Sequence, residues 1–242
     1  MNNAGPLKNI RIVLVEPRHP GNIGAAARAM KTMGLSALHL VAPHEFPHPE
    51  ADARAAGALD VLGRAQLHDN LAAALKDCVL ACATSSRRRE LRHETMSARA
   101  AAHELVAQAA SHPVALVFGS ERTGLDRELA GLCQLWAGIP ANPDYASLNL
   151  AAAVQVFAYE LRSALSAIET PQTPEFEPAS FEQVEQLLRH AENTMVSVGF
   201  LDPANPKRLL PRLRRLIARA RLEAEEVNIL RGFLNAVDKL RR

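Results

Sequence analysis

Short apolar segments alternate with alanine-rich segments through the first two-thirds of this 242-residue chain. Continuous apolar runs, as opposed to strict alternation, are typical of parallel strands that are covered on both faces. The predicted strands are Ile10–Val15, Ala37–Val41, Cys78–Ala83, Val114–Phe118 and Leu135–Ile139, with a shorter one at Gln66–His68. Because helical segments separate these strands, the pattern predicts an α/β fold with a parallel sheet covered by helices.

Apolar residues at helical spacing predict the helices that flank this sheet. Small and apolar residues recur from Ile23 to Met33, and Gly34 then supplies a stop signal. A longer helix is predicted from Leu148 to about Ile168. Its apolar face consists of Leu150, Val154, Phe157 and Leu161. We therefore expect a first domain that covers residues 1–168.

A proline-rich segment separates this domain from a helical extension. Residues 169–180 contain Pro171, Pro174 and Pro178, which favour a linker over a helix or a central strand. Ser180 and Gln183 form a capping-box pattern that opens a helix, and two more helices are predicted at 211–221 and 223–240. Residues 181–242 are therefore predicted to form a small all-α module.

Charge is distributed unevenly between these parts. The net charge is +2, but residues 207–242 carry 11 Lys and Arg against 4 Asp and Glu. Such a basic tail is typical of a phosphate-backbone binder, and a solvated helical face is the alternative explanation. No run of about 18 apolar residues and no signal-peptide pattern is present, so we expect a cytoplasmic protein without a membrane partner. Three cysteines, two of them in an apolar run, argue against a disulfide framework.

Two motif matches have weak structural support. His44-Glu-Phe-Pro-His48 fits the H-E-x-x-H zinc pattern, but that pattern needs a helix and Pro47 interrupts it. We therefore assign no metal. Gly21-Asn-Ile-Gly24 follows a strand as a dinucleotide-binding turn does, but it lacks the G-x-G-x-x-G spacing.

Three polar segments follow predicted strands, at the sheet edge where open α/β proteins bind ligands. They are Pro20-Gly-Asn-Ile-Gly-Ala-Ala-Ala-Arg28, Val117-Phe-Gly-Ser-Glu-Arg-Thr-Gly-Leu125 and Ile139-Pro-Ala-Asn-Pro-Asp-Tyr-Ala-Ser-Leu-Asn-Leu150. Each has a local structural explanation as well. Arg28 can extend to solvent from an apolar helix, Gly119 can belong to an ordinary turn, and Ser147 or Asn149 can cap a helix.

In this order, the three segments resemble the sequence motifs of the SPOUT RNA 2′-O-ribose methyltransferases. The segments Gly199-Phe-Leu-Asp-Pro, Arg219-Ala-Arg-Leu-Glu and Asn228-Ile-Leu-Arg-Gly232 resemble the C-terminal extension of the TrmJ-type tRNA enzymes. The resemblance implies a SPOUT fold with a C-terminal trefoil knot and a homodimer with an active site shared between subunits. It also implies S-adenosylmethionine as cofactor and tRNA as partner, with 2′-O-methylation of the cytidine or uridine at anticodon-loop position 32. No metal is implied.

The resemblance also assigns residues to roles. The implied cofactor-binding residues are Thr84, Ser85, Ser86, Gly119, Ile139, Ala146, Ser147 and Leu148. The implied catalytic residues are Arg28, Asn22, Glu121, Ser147 and Asn149, with Asn22 shaping the neighbourhood of Arg28. A guanidinium keeps its proton at neutral pH, so we expect Arg28 to clamp a phosphate and to stabilise charge on the 2′-oxygen.

Periodicity predicts an RNA-binding stripe on the extension. Arg212, Arg215 and Arg219 recur at helical spacing, and Leu213, Leu216 and Ile217 are expected to pack beneath them. The first helix has small and apolar residues on more than one side, including Ile23 and Met30. This composition suits burial against a partner subunit as well as against the chain's own sheet, and burial inside one large monomer is the alternative.

Three other functions stay open at this stage. Ribosomal RNA is an alternative substrate, and a non-catalytic RNA-binding SPOUT protein is an alternative class. A nicotinamide oxidoreductase requires the missing glycine spacing and an acidic residue after the second strand, where the chain has Ala42-Pro43.

Overall fold

A computed structural model describes residues 5–85, 95–142, 144–167 and 177–240. Its centre is a seven-stranded sheet in which every pair of neighbouring strands is parallel. The strands are β1 (Ile10–Val15), β2 (Ala37–Val41), β3 (Gln66–His68), β4 (Leu80–Thr84), β5 (Thr95–Ser97), β6 (Val114–Phe118) and β7 (Leu135–Gly138). Their order across the sheet is β3-β2-β1-β6-β4-β7-β5. The parallel sheet expected from the continuous apolar runs is confirmed.

Seven α-helices accompany the sheet in this part of the described chain. They are α1 (Pro20–Met33), α2 (Pro49–Ala55), α3 (Leu59–Leu62), α4 (Leu71–Leu75), α5 (Ala98–Ala109), α6 (Arg127–Ala130) and α7 (Leu150–Ala167). The predicted apolar face of α7 lies in the main hydrophobic core, together with three residues each of β1 and β6 and six residues of α5. α7 packs against both α1 and α5, so it holds these two helices in one layer.

The sequence predicted the strands more accurately than the short helices. Five strands have the predicted bounds or differ by one residue, and β4 begins two residues later than expected. Gly34 ends α1 in the left-handed conformation, with φ of 83°, as the stop signal indicated. The edge strand β5 was not predicted, because it is three residues long and is mostly polar. α7 begins at Leu150 and not at Leu148, because Asn149 accepts hydrogen bonds from the first backbone N–H groups of the helix.

The strand order is the one that the expected knot requires. β7 lies between β4 and β5, although it follows both of them in the sequence. The final segment of the sheet is therefore inserted between two strands that are already connected. The connection from β4 to β5 includes residues 86–94, which lie outside the described residues, so the threading itself stays a prediction.

The chain divides into two compact units, residues 1–173 and 174–242. The division falls inside the linker expected at 169–180. The second unit contains α8 (Phe181–Ser197), α9 (Leu209–Ala220) and α10 (Ala224–Lys239). The predicted capping box of Ser180 and Gln183 is present, and a small core that includes Leu187 and Val227 joins α8 to α10. None of the described helices is long and apolar enough to cross a membrane.

One packing expectation was wrong. Leu216 was expected beneath the arginine stripe of α9, but 57% of its surface is exposed. At 100° per residue it lies about 40° from Arg212, and therefore on the same face as the arginines. The apolar residues of α1 were expected to suit burial against a partner as well as against the chain's own sheet. Ile23, Ala26 and Met30 are fully buried within the chain, where α1 packs against α2 and α7, and the partner contact stays a prediction.

Candidate active site

A cleft of about 890 Å³, open to solvent, lies at the carboxyl ends of β4, β6 and β7. These three strands are adjacent in the sheet, so the loops that follow them meet at one edge. Its lining includes seven of the predicted cofactor-binding residues, namely Thr84, Ser85, Gly119, Ile139, Ala146, Ser147 and Leu148. The eighth, Ser86, lies outside the described residues. Phe118, Leu150 and Phe157 form the apolar floor, which the sequence analysis did not assign to the site.

The loop after β6 folds back tightly on itself. The backbone N–H of Gly124 donates to the Ser120 carbonyl at 2.8 Å, and the Ser120 and Thr123 hydroxyls lie 2.8 Å apart. Gly124 has a φ of 68°, which favours glycine. A Cβ on Gly119 would lie 2.0 Å from the backbone nitrogen of Leu125. The chain itself therefore requires glycine at position 119, which agrees with the expectation that Gly119 can belong to a turn.

The loop after β7 ends at the first turn of α7. The side chain of Asn142 accepts a hydrogen bond from the Asp144 backbone, and its backbone carbonyl accepts one from Tyr145, which fixes a turn before the cleft. Ser147 is exposed and lines the cleft. Asn149 caps the helix through its side-chain oxygen, 2.9 Å from the Ala151 nitrogen. The helix-cap interpretation of Asn149 is therefore correct, and it leaves the Asn149 side-chain nitrogen available for another partner.

That partner is Asn22, which connects all three polar segments. The Asn149 Nδ2 atom donates to Asn22 Oδ1 at 2.9 Å, and Asn22 Nδ2 donates to Glu121 Oε1 at 2.8 Å. The Glu121 carboxylate also accepts hydrogen bonds from the backbone N–H groups of Arg18 and His19, at 2.9 and 3.2 Å. The start of α1, the loop after β6 and the start of α7 are thus held in one register. No pattern in the sequence indicated the two backbone donors.

These hydrogen bonds determine the charge state of Glu121. Partial burial of the carboxyl acts to raise its pKa, but the donors from Asn22, Arg18 and His19 outweigh burial and lower the pKa below its ordinary value. Glu121 is therefore an anion at neutral pH, with its oxygens engaged by three N–H donors. This arrangement suits a positioning residue and makes Glu121 a poor proton acceptor.

Arg28 is not part of this arrangement within one chain. It is exposed, and it does not line the cleft. Asn22 was expected to shape its neighbourhood, but Asn22 contacts Glu121 and Asn149 instead. Six residues along α1 place Arg28 about 9 Å farther along the helix than Asn22 and about 240° around it. The structure therefore brings together Asn22, Glu121, Ser147 and Asn149, and it leaves Arg28 on another surface.

The predicted RNA-binding arginines lie in the second unit, on one side of α9. Arg212 and Arg219 are exposed, and Arg215 is partly buried. Arg214 lies on the other side of the helix, where both of its terminal nitrogens bind the Glu185 carboxylate. Arg214 therefore has a structural partner, whereas Arg212 and Arg219 present their charge to solvent.

The zinc-like motif forms no helix. Residues 44–48 form a loop before α2, and the His48 ring accepts a hydrogen bond from the Glu50 backbone at the start of that helix. Among the described residues, no group of three or more His, Cys, Asp or Glu side chains is arranged to hold a metal ion.

Comparison with known proteins identifies relatives of both units. Residues 9–159 match the SpoU rRNA Methylase family, and residues 182–242 match the family described as tRNA methyltransferase TrmJ, C-terminal domain. The tRNA (cytidine/uridine-2′-O-)-methyltransferase TrmJ of Pectobacterium atrosepticum is 49% identical over 96% of this chain and 98% of its own length.

Two solved structures resemble most of the chain. TrmJ from Z. mobilis ZM4 is 34% identical with a TM-score of 0.84, and the match covers 94% of this chain and 98% of that one. A probable methylase family protein from Haemophilus influenzae Rd KW20 is 42% identical with a TM-score of 0.64, over 96% and 97% of the two chains. Both the sheet domain and the helical extension therefore have counterparts in these proteins.

Proposed function

The chain belongs to the SpoU rRNA methylase family, with a TrmJ C-terminal domain, and we propose that it transfers a methyl group from S-adenosylmethionine to a ribose 2′-hydroxyl of tRNA. The observation that carries this proposal is the cleft in which three loops converge on Ser147, Glu121 and Gly119. Its relative in P. atrosepticum is named for 2′-O-methylation of cytidine and uridine in tRNA.

The cleft fits an adenosine-type cofactor. Its apolar floor can cover a ring, and the backbone groups of the loops at Thr84, Gly119 and Ile139 can match the donors and acceptors of an adenine edge. When bound, S-adenosylmethionine supplies the methyl group. Labelled S-adenosylmethionine should bind the chain and NAD should not. Binding of NAD alone would favour an oxidoreductase, and binding of neither would favour a non-catalytic RNA-binding protein.

The residues of the chain have to align the ribose hydroxyl and stabilise the charge that develops on its oxygen. The reaction forms a bond between the 2′-oxygen and the methyl carbon, breaks the bond of that carbon to sulfur, and releases the hydroxyl proton. Alignment of this kind supplies much of the rate of a displacement. Glu121 and Asn22 fix the loops, and Arg28 clamps the neighbouring phosphate and stabilises the 2′-oxygen.

We further propose that the chain acts as a homodimer in which Arg28 of one subunit faces the cofactor loops of the other. This proposal is supported by the exposure of Arg28 and by its absence from the cleft of its own chain. A mixing experiment tests it. An inactive Arg28→Ala chain is combined with an inactive Ala146→Trp chain, in which the new ring fills the cleft, and the subunits are allowed to exchange.

If the site is shared, one of the two sites in each mixed dimer contains both intact halves, and activity returns. If each chain is self-sufficient, mixed dimers stay inactive. Ala146→Trp is preferable to a substitution at Gly119, because a side chain there collides with the backbone of its own loop.

The proposed RNA target rests on the extension and on the TrmJ relatives. We propose that the side of α9 with the exposed Arg212 and Arg219 and the partly buried Arg215 binds the tRNA backbone. We also propose that the modified nucleotide is the cytidine or uridine at position 32 of the anticodon loop. Ribosomal RNA is the second candidate substrate, because the matched family is named for rRNA. Mapping of 2′-O-methyl groups in tRNA and rRNA from a strain without the gene, against the parent strain, decides between them.

A further inference from the structure

Helix α10 has an apolar seam on the side that faces away from its own core. The seam consists of Ile229, Phe233 and Ala236 of the helix and of Leu240, which directly follows it. All four are exposed, Phe233 over 66% of its surface and Leu240 over 88%. Val227 and Leu234, on the other side of the helix, pack into the small core of the unit. α10 is therefore apolar on two sides, and among the described residues of this unit only one of these sides contributes to the core.

The spacing of the seam is that of a helix-pairing surface. Successive members are four, three and four residues apart, which is the repeat that aligns side chains along a helix pair. Single exposed apolar residues are ordinary in proteins, whereas contiguous exposed apolar patches are typical of interaction sites. The members are also aliphatic or aromatic, without a polar residue between them along the seam.

We propose that this seam packs against the same seam of a second copy of the chain, with the two helices antiparallel. A two-fold axis between positions 233 and 236 places the large Phe233 ring opposite the small Ala236 of the partner subunit, and Ile229 opposite Leu240. Large residues then fill the space left by small ones, as close packing requires.

The charges beside the seam favour the same arrangement. Glu225 and Glu226 lie in the first turn of α10, and Lys239 lies in its last turn, before Arg241 and Arg242 in the sequence. Antiparallel pairing brings the acidic start of each helix toward the basic end of the other, whereas parallel pairing places like charges together. The two carboxylates also make this surface unsuitable for RNA, whose backbone is better matched by the arginines of α9.

The seam alone is too small for a stable dimer, since specific interfaces bury about 1,600 Å² in total. The inference therefore rests on the homodimer of the proposed function. Two extensions attached to one dimer meet at a high effective concentration, so that a weak contact becomes populated. The contact would hold the two basic α9 helices in a fixed relation to each other.

Cross-linking of the full chain tests the proposal. In Ala236→Cys, the new thiols of two copies lie close to the two-fold axis, and the native Cys78, Cys82 and Cys133 are buried and do not compete. A short bis-maleimide should link this variant into covalent dimers. The matched control is Asn235→Cys. Asn235 directly precedes Ala236 and is also exposed, but it lies on another side of the helix from the seam.

We expect at least a tenfold higher dimer yield for Ala236→Cys than for Asn235→Cys, and a loss of at least tenfold when Phe233→Glu is added. Phe233→Glu replaces an exposed residue, and an unchanged melting temperature shows that it folds. Equal yields for the two cysteine variants overturn the proposal. If tRNA protects the thiol at position 236 from maleimide, RNA is the occupant of the seam and the proposal is overturned. If that thiol is protected without tRNA and no covalent dimer forms, the chain's own first unit is the occupant, and the proposal is overturned as well.

Sedimentation of the same samples separates this proposal from the proposed function. If the chain sediments as a dimer but does not cross-link at position 236, only the proposed pairing of α10 is overturned. A monomer in both variants overturns the homodimer as well, while methyl transfer to tRNA is measured independently.

Discussion

The side-chain amide of Asn22 donates a hydrogen bond to the Glu121 carboxylate across 2.8 Å, although the two residues are 99 positions apart in the chain. Asn22 can donate to Glu121 and accept from Asn149 at the same time because an amide has both a donor and an acceptor end. The donor end is the one that an acidic substitution removes.

Asn22→Asp changes the volume of the side chain very little, but we expect it to reduce both activity and stability. It places a carboxylate against the Glu121 carboxylate, and the loss of a hydrogen bond to a charged group costs about 1.5–3 kcal/mol before the repulsion is counted. We expect methyl transfer to fall by at least a hundredfold and the melting temperature to drop. Asn235→Asp, the same change at an exposed position, is the control. Equal behaviour of the two variants would show that the Asn22 contact has no role.

Arg28→Ala should abolish methyl transfer while the dissociation constant for S-adenosylmethionine changes little, because Arg28 does not line the cleft of its own chain. Arg28→Lys should fail as well, since a point charge cannot reproduce the planar fork of a guanidinium. Isothermal titration and a methyl-transfer assay measure the two properties separately. A fully active lysine variant contradicts the clamp.

The basic stripe of α9 should determine the salt dependence of tRNA binding. Each arginine that contacts a phosphate contributes about one to the slope of log affinity against log salt concentration. Arg212→Gln with Arg219→Gln should reduce that slope by about two, and deletion of residues 171–242 should reduce it further while S-adenosylmethionine still binds. Arg64→Gln, an exposed change in the first unit, is the control. An unchanged slope would make the extension a structural cap.

Acid should destabilise the protein through His39. Burial lowers the pKa of His39 to about 4, and the positive Arg11 and the neighbouring His68 act in the same direction. The unfolded chain then binds more protons than the folded one between about pH 4 and 6.5, so stability rises with pH across this window and is lost on acidification. We expect the free energy of unfolding to be about 2 kcal/mol lower at pH 4.5 than at pH 7. Urea unfolding at both pH values should show a smaller difference for His39→Gln, and the wild-type difference for the exposed His103→Gln.

Glycine positions separate what the sequence could predict from what it could not. Gly34 was predicted to end α1 because a left-handed stop is a local property of the chain. Gly119 was placed in the right loop, but its close approach to Leu125 could not be predicted, because that contact depends on how the loop folds back. Likewise, the apolar periodicity of α7 identified its buried face, whereas the bridge from Asn22 to Glu121 joins residues whose proximity no local pattern encodes.

Gly119→Ala tests this distinction. The added Cβ lies within 2.1 Å of backbone atoms of Gly124 and Leu125, so the loop has to open. We expect the free energy of unfolding to fall by at least about 3 kcal/mol, or cofactor binding to be lost, because overpacking against backbone is costly. Gly57→Ala is the control, since a Cβ there meets no atom within 4 Å. Calorimetry that finds both variants equally stable and binding-competent would contradict the structure of this loop.

Methylation of the ribose in tRNA is best tested by mass spectrometry of nucleosides from tRNA that the purified chain has treated with S-adenosylmethionine. We expect a mass increase of one methyl group on the ribose of cytidine or uridine, and no increase when the target nucleotide carries a 2′-deoxyribose. A methylated base, or methylation that persists on the deoxyribose substrate, would contradict it.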